Sequence, residues 1–376
     1  MLSLLLCTFG NLIPGLVLSS FSYIFTLLPA LIILIPPSTD LRGNIYGSLG
    51  SKLGTYLHIG KIEPKFKIDP KITENLLLSL FLLLGVSIFI GFIVAKVSTS
   101  DLVVGINIIL IAAIAALLSS ILMMPATLAI AIGSYKKGWN PDNITAPIIT
   151  LIGDMVTLPI IFLSTTIVLA MVLPIKLILI MIFILILIIL FNKINKKDVK
   201  ESLPILILCS LISLCAGLIL SHRIEELIIV PGILTIVPAF LVDGGAISSI
   251  IAARLSSMLH LGILQPKFIP PKEILKGFLV MHLIGFVVFT SVGIVGQLAN
   301  HVLSIPTIPT LYMLASTIVA GQIVIGISNF LTYYISIISF KRGVDPDNIT
   351  IPILTSLMDV IGSFSLILTL KIFNII

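Results

Sequence analysis

Charge is what this chain has least of. Only 10% of its 376 residues are charged, against 58% hydrophobic. A soluble domain carries about 25% charged residues, so the surface of a water-surrounded globule could not be covered. Cysteine is scarce too: Cys7, Cys209 and Cys215 sit singly inside apolar runs. Their odd number and lack of C-x-x-C spacing exclude a disulfide frame and a zinc site. No basic leader precedes the first apolar run, so a cleaved signal peptide is not expected. The alternating pattern of a transmembrane barrel is absent as well.

What is present are repeated apolar runs of 18 residues or more, the signature of an all-α polytopic membrane protein. Against a hydrocarbon core of about 30 Å, spans are expected near 2–19, 23–58, 75–97, 102–134, 143–172 and 174–192. Five more follow near 203–221, 227–260, 277–299, 307–339 and 348–373, about 11 in all. The second and eighth are too long for one straight helix, and both contain Pro and Gly. Basic residues orient the chain. With the N-terminus cytoplasmic, 15 Lys and Arg fall in cytoplasmic loops and only Lys96, Lys176, Arg223 and Lys371 on the other side. That asymmetry puts the C-terminus outside, in a multi-pass protein of the cell (plasma) membrane.

The chain repeats itself. Pro36, Gly43, Leu53, His58, Pro64, Lys65 and Phe66 recur 202 positions later as Pro238, Gly245, Leu255, His260, Pro266, Lys267 and Phe268, and Lys52 recurs as Arg254. Asp-Asn-Ile-Thr at 142–145 recurs at 347–350, and Pro141, Pro147 and Asp154 recur as Pro346, Pro352 and Asp359, all offset by 205. Two five-span repeats (1–173 and 201–376) are thus expected around a linking segment at 174–200. The single linking span restores parity, so both copies point the same way. This predicts a pseudo-two-fold along the membrane normal, with a pathway near the seam.

Asp154 and Asp359 stand apart from the other acids. Each helix is expected to start at an Asp-Asn pair (Asp142/Asn143, Asp347/Asn348) that caps orphan N–H groups, with Pro147 and Pro352 near the first turn. Eleven residues beyond Asn143, Asp154 lies roughly 16 Å deep, near the bilayer midplane. Asp359 repeats that geometry. A charge there costs at least about 2.5–3.5 kcal/mol, and neither helix offers a nearby Lys or Arg. A protonated Asp bonded between helices is one reading. A cation site is the other, and two carboxylates across a pseudo-two-fold suit a hard divalent ion bound by oxygen.

The second constellation is the long span of each copy, expected to be broken at Pro36 to Asn44 and at Pro238 to Ala246. Carbonyls freed there, with Asn44, Ser48, Ser248 and Ser249, would bind the outer waters of an ion. A kink that only packs helices is the plain alternative. Asp40 and Asp243 either attract cations or cap the following half-helix, and Arg42 is a candidate partner for Asp40. His58 and His260 read as interfacial anchors, and His222, Arg223, Glu225 and Glu226 as a solvated cluster. The two Asn-x-Thr sequons face the cytoplasm and should stay unmodified.

Gly343-Val344-Asp345-Pro346 leading to Pro352 and Asp359, preceded by Val237-Pro238 to Gly245, resembles the membrane domain of MgtE-type magnesium channels and transporters. The duplicated form with Gly153-Asp154 looks more like solute carrier family 41. The resemblance covers nearly the whole chain. It implies five-helix units around a two-fold, and a hydrated Mg²⁺ held by the fifth-helix acids, Asp154 and Asp359, beside Gly43-Asn44. Ala246 departs from the pattern, since Asn is expected there. The cytoplasmic regulatory domains of bacterial MgtE are expected to be missing, because the first span starts close to Met1.

The resemblance makes Mg²⁺ the transported ligand, with Mn²⁺ or other divalent ions open, and metal candidates Asp154, Asp359, Asn44, Gly43, Asp243, Gly245 and Ser248. The expected partners are the lipid bilayer and the ion, with no nucleic acid. One chain suffices as a pseudo-dimer, and a homodimer is not excluded. An enzyme is not expected. Leu151 stands where a Gly-x-Gly-Asp intramembrane protease needs its first Gly. A proton-coupled carrier of a small organic solute is the remaining alternative.

Overall fold

The structure is a computed structural model that describes residues 2–58, 60–65, 69–138, 141–342 and 346–376. Among them are thirteen helices and no strand. They are α1 (Leu2–Ser20), α2 (Ile24–Leu27), α3 (Ala30–His58), α4 (Pro70–Ser98), α5 (Leu102–Lys136), α6 (Pro141–Ala170) and α7 (Leu173–Lys193). Then come α8 (Lys196–Ser221), α9 (Ile224–Ile229), α10 (Gly232–His260), α11 (Lys272–Val302), α12 (Thr310–Lys341) and α13 (Pro346–Ile372). Nine of these helices, α4 to α8 and α10 to α13, are long and apolar enough among the described residues to cross a membrane. This is a multi-pass membrane protein.

Several helices outrun the expected spans, because a helix need not stop where the hydrocarbon does. The 29 residues of α4 amount to about 44 Å of helix, enough to reach through both headgroup layers. Asp69 starts it by accepting a hydrogen bond from the Lys71 amide at 2.8 Å, with Pro70 at the first helical position, where its missing N–H costs nothing. Asp101 does the same for α5, accepting from the amides of Val103 and Val104 at 2.7 and 3.2 Å. The proposed Asp-Asn caps of α6 and α13, Pro147, the Gly343–Asp345 segment and the His58 side chain lie outside the described residues.

The two over-long spans do break, but not where the sequence suggests. The interruptions fall at Leu28-Pro29, between α2 and α3, and at Val230-Pro231, between α9 and α10. The residue before a proline is pushed out of helical backbone, and Leu28 (φ −144°, ψ 79°) and Val230 (φ −122°, ψ 71°) are both non-helical. Pro29 and Pro231 are themselves 202 residues apart, so the break belongs to the repeat. By contrast α3 runs helically through Pro36, Pro37 and Gly43, and α10 through Pro238 and Gly245.

The helices cluster into two compact units, residues 1–32 with 212–376, and residues 33–211. In the first, α10 is the hub, packed against α1, α11, α12 and α13 and largely buried from Gly232 to Ala252. Its crossing with α1 is tight: a Cβ on Gly15 would collide with the Thr235 carbonyl, so only Gly lets the two backbones approach this closely. In the second unit, α5 packs against α4, α6 and α7. The units do not coincide with the repeats, because α1 groups with α9 to α13. The linking helix α7 leaves Met181, Leu185 and Ile188 between 55% and 66% exposed, a surface that only lipid can cover.

Candidate functional site

In the second unit, α3 and α6 face each other through small residues. A Cβ on Gly43 would stand 3.2 Å from Cγ2 of Thr150. One turn beyond Thr150, and so on the same face of α6, Asp154 is buried at 5% exposure. Among the described residues it has no hydrogen-bond or ion-pair partner, while the nearby Asp40 acts on it electrostatically. Asp40 in turn accepts a hydrogen bond from Asn44 Nδ2 at 3.1 Å, one turn along α3. The structure therefore gathers Gly43, Asn44, Asp40 and Asp154 on facing sides of two helices, an arrangement of oxygens that includes two carboxyl groups.

The first unit repeats the frame with different contents. A Cβ on Gly245 would stand 3.5 Å from Cγ2 of Thr355 on α13, and Thr355 is the 205-residue counterpart of Thr150. Asp359, one turn further, is half-buried and accepts a hydrogen bond from Ser213 of α8 at 3.4 Å. Where α3 has Asp40, α10 has Val242. The other two α10 candidates look elsewhere. Asp243 turns to α1, where Thr8 donates to its Oδ2 at 2.6 Å. The Ser248 hydroxyl meets Ser328 of α12 at 2.6 Å. Gly245 alone of the three lies against the helix that carries Asp359.

Two expectations are corrected by this geometry. Because both long helices stay intact past the glycines, no unwound run of carbonyls faces an ion. Ser248 and Ser249 return their hydroxyls to the carbonyls of Gly244 and Gly245, and Thr39 does so to Ile35. Nor does Arg42 pair with Asp40. It is 1% exposed and reaches the other way, donating from Nε to Ser119 Oγ at 2.9 Å and from Nη1 to the Ser38 carbonyl at 2.7 Å.

The two halves differ most at this point. Arg42, Tyr46 and Ser119 correspond to Gly244, Ser248 and Val324, and a Cβ on Gly244 would touch Val324 at 3.3 Å. A polar seam in one copy is an apolar contact in the other.

The residues missed from sequence are Thr8, Ser213, Thr150 and Thr355. Aligning the repeats at 205 would have exposed the two threonines. Nothing local marks Thr8, whose partner is 235 residues away. Among the described residues no three His, Cys, Asp or Glu side chains converge as a metal cage. An ion here would keep much of its water. Outside the spans, Arg223 and Glu226 pair at 2.9 Å, which holds the Glu226 carboxyl below its ordinary range. None of the three cysteines is in a disulfide.

The family profile described as "Divalent cation transporter", MgtE, matches residues 35–164 and 237–369. The chain belongs to the MgtE family. The starts of the two matched stretches are 202 residues apart and their ends 205, the two offsets of the internal repeat, and each stretch carries one Gly–Thr–Asp frame. This MgtE-family chain is also similar to solute carrier family 41 member 2 of Xenopus laevis, 27% identical over 411 residues, covering 99% of this chain and 71% of the relative. Member 3 of Rattus norvegicus is 29% identical over 407 residues, covering 96% and 83%. Member 2 of Homo sapiens is 26% identical over 401 residues, covering 97% and 68%. No solved structure matches. At the level of the family, the chain is a divalent cation transporter.

Proposed function

We propose that this transporter moves Mg²⁺, held in largely hydrated form by Asp154 and Asp359 along a pathway shared by the two repeats. The observation that supports it is the matched frame. In each half a mid-helix Asp lies one turn past a Thr that packs on a Gly of the neighbouring helix. Mg²⁺ gives up water reluctantly and is commonly bound through one or two carboxylates, which suits sites with few acids and no cage. Asn44 and Asp40 are the additional outer-sphere partners in the first half, and Ser213 in the second. Gly43 and Gly245 keep side-chain bulk away. Asp243 and Ser248, which face α1 and α12, are assigned supporting rather than ion-contacting places.

The reading places eleven spans in the membrane, with α1 and α3 joining the nine, as two parallel repeats (1–173 and 201–376) around the 174–200 segment. The bias of basic residues supports a cytoplasmic N-terminus, the plasma membrane is the location this reading adopts, and a single chain supplies both acids. A divalent ion falling through 100 mV gains about 4.6 kcal/mol, twice the monovalent figure, enough to drive entry without coupling. Mg²⁺ uptake into proteoliposomes tests the proposal. Asp154→Ala and Asp359→Ala should each lower the flux at least about 10-fold, the scale of losing one buried charge interaction of about 1.4 kcal/mol or more. Undiminished flux in both variants would sink it.

A further inference from the structure

Between α4, α5 and α7 lies a cavity of about 420 Å³, lined by apolar residues that include Gly85 and Phe92 of α4, Ile109 and Ala113 of α5, and Ile180 and Phe183 of α7. Its volume falls in the range of small-ligand sites, about 300–1,000 Å³. Phe92 is 49% exposed, so the cavity opens sideways. From Gly85 to Phe92 it follows α4 for about 10 Å. No polar side chain lines it to hold water.

One end is different. Lys176, in the first turn of α7, lies on the face of Ile180 and Phe183, at i, i+4 and i+7. It is 5% exposed, and its Nζ donates to Asn107 Oδ1 of α5 at 2.7 Å. Lys96, in the last turn of α4, holds its ammonium 5.8 Å from the centroid of Phe92. Among the described residues neither lysine pairs with a carboxylate. Of the four basic residues that the sequence assigns to the sparsely charged membrane face, two therefore lie one helical turn from the lining of one apolar slot, Lys96 beyond Phe92 and Lys176 before Ile180.

We infer that this slot is a binding site for one anionic phospholipid, an acyl chain lying between α4, α5 and α7 and the phosphate near Lys96 and Lys176. Apolar lining, sideways opening and two lysines that pair with no carboxylate among the described residues match such a lipid end for end. A neutral lipid would leave these lysines uncompensated. The lipid would also fill the seat of α7, the helix between the repeats.

Native mass spectrometry of the full chain tests this, after delipidation and addition of equal amounts of phosphatidylglycerol and phosphatidylcholine with the same acyl chains. The wild type should retain one phosphatidylglycerol with a preference of about five-fold or more, the contribution of one basic residue near an anionic headgroup. Lys96→Gln with Lys176→Gln should bind both lipids equally, and Ala113→Phe should lose both. Gly85→Leu closes the slot from another helix, should Ala113→Phe fail to fold. Equal retention of the two lipids by the wild type overturns the assignment, as does detergent retained in place of either lipid. Undiminished phosphatidylglycerol in the filled variants also overturns it. No readout involves ion movement, so the result is independent of the transport proposal.

Discussion

Thr8→Val is a sharp test of how α1 is held. Thr8 and Asp243 are both fully buried, and the hydroxyl donates to Asp243 Oδ2 at 2.6 Å. The other oxygen, Oδ1, already has no partner. Valine keeps the shape of threonine and removes only the donor, so no cavity term enters. Leaving a buried acceptor unsatisfied costs about 1–3 kcal/mol, more for a charged group. The expected loss is therefore about 2 kcal/mol. Asp243→Leu supplies the comparison, since Leu41 occupies that position in the first repeat. With both partners apolar, the Thr8→Val/Asp243→Leu protein should recover most of the loss. A double-mutant cycle should then show a coupling energy of at least about 1 kcal/mol. Recovery of monodisperse protein after graded heating in detergent reads all four variants. Strict additivity of the two single changes would refute the reasoning.

Two further predictions follow from the polar pairs. Arg42→Met should change stability by less than about 1 kcal/mol in the same assay. A buried cation without a carboxylate gains little over an apolar side chain of similar length, and Ser119 keeps its bond to the Ala116 carbonyl at 3.0 Å. A loss above about 3 kcal/mol would instead reveal a paired acid. The Arg223–Glu226 pair gives a pH dependence of known sign. Arg223, by hydrogen bond and charge, lowers the Glu226 carboxyl below its usual value, so its contribution is full above the unfolded value and fades as pH falls through the folded one. Both groups are about a third exposed, which limits the effect to below about 1 kcal/mol. The difference between wild type and Glu226→Gln should shrink in high salt and at acid pH; growth on acidification would contradict it.

Most of the helical pattern was legible because membrane spans are long and written in one alphabet of apolar residues. The repeat offsets were equally readable, and they placed Gly43 and Gly245, Asp154 and Asp359 in matching frames. What misled was proline. Pro36 and Pro238 look like breakers, yet the breaks fall at Pro29 and Pro231. Which proline interrupts a helix depends on the packing around it as well as on the residue itself, and α3 and α10 stay helical through Pro36, Pro37 and Pro238. Equally hidden was the direction in which Asp243, Gly245 and Ser248 point, since it depends on which helices surround α10. The partners of Asp243 and Asp359 lie 235 and 146 residues away, a distance over which no local pattern carries information.

The seating of α1 against α10 has a consequence for biogenesis. A ribosome adds about 5–20 residues each second, so the 235 residues between Thr8 and Asp243 take roughly 10–50 s to appear. Throughout that interval α1 carries Thr8, Asn11 and the bare notch at Gly15 without the surface they fit. Completion of the protein must therefore wait on a late arrival. A chaperone that shelters polar groups until their partners appear would have a long task at α1.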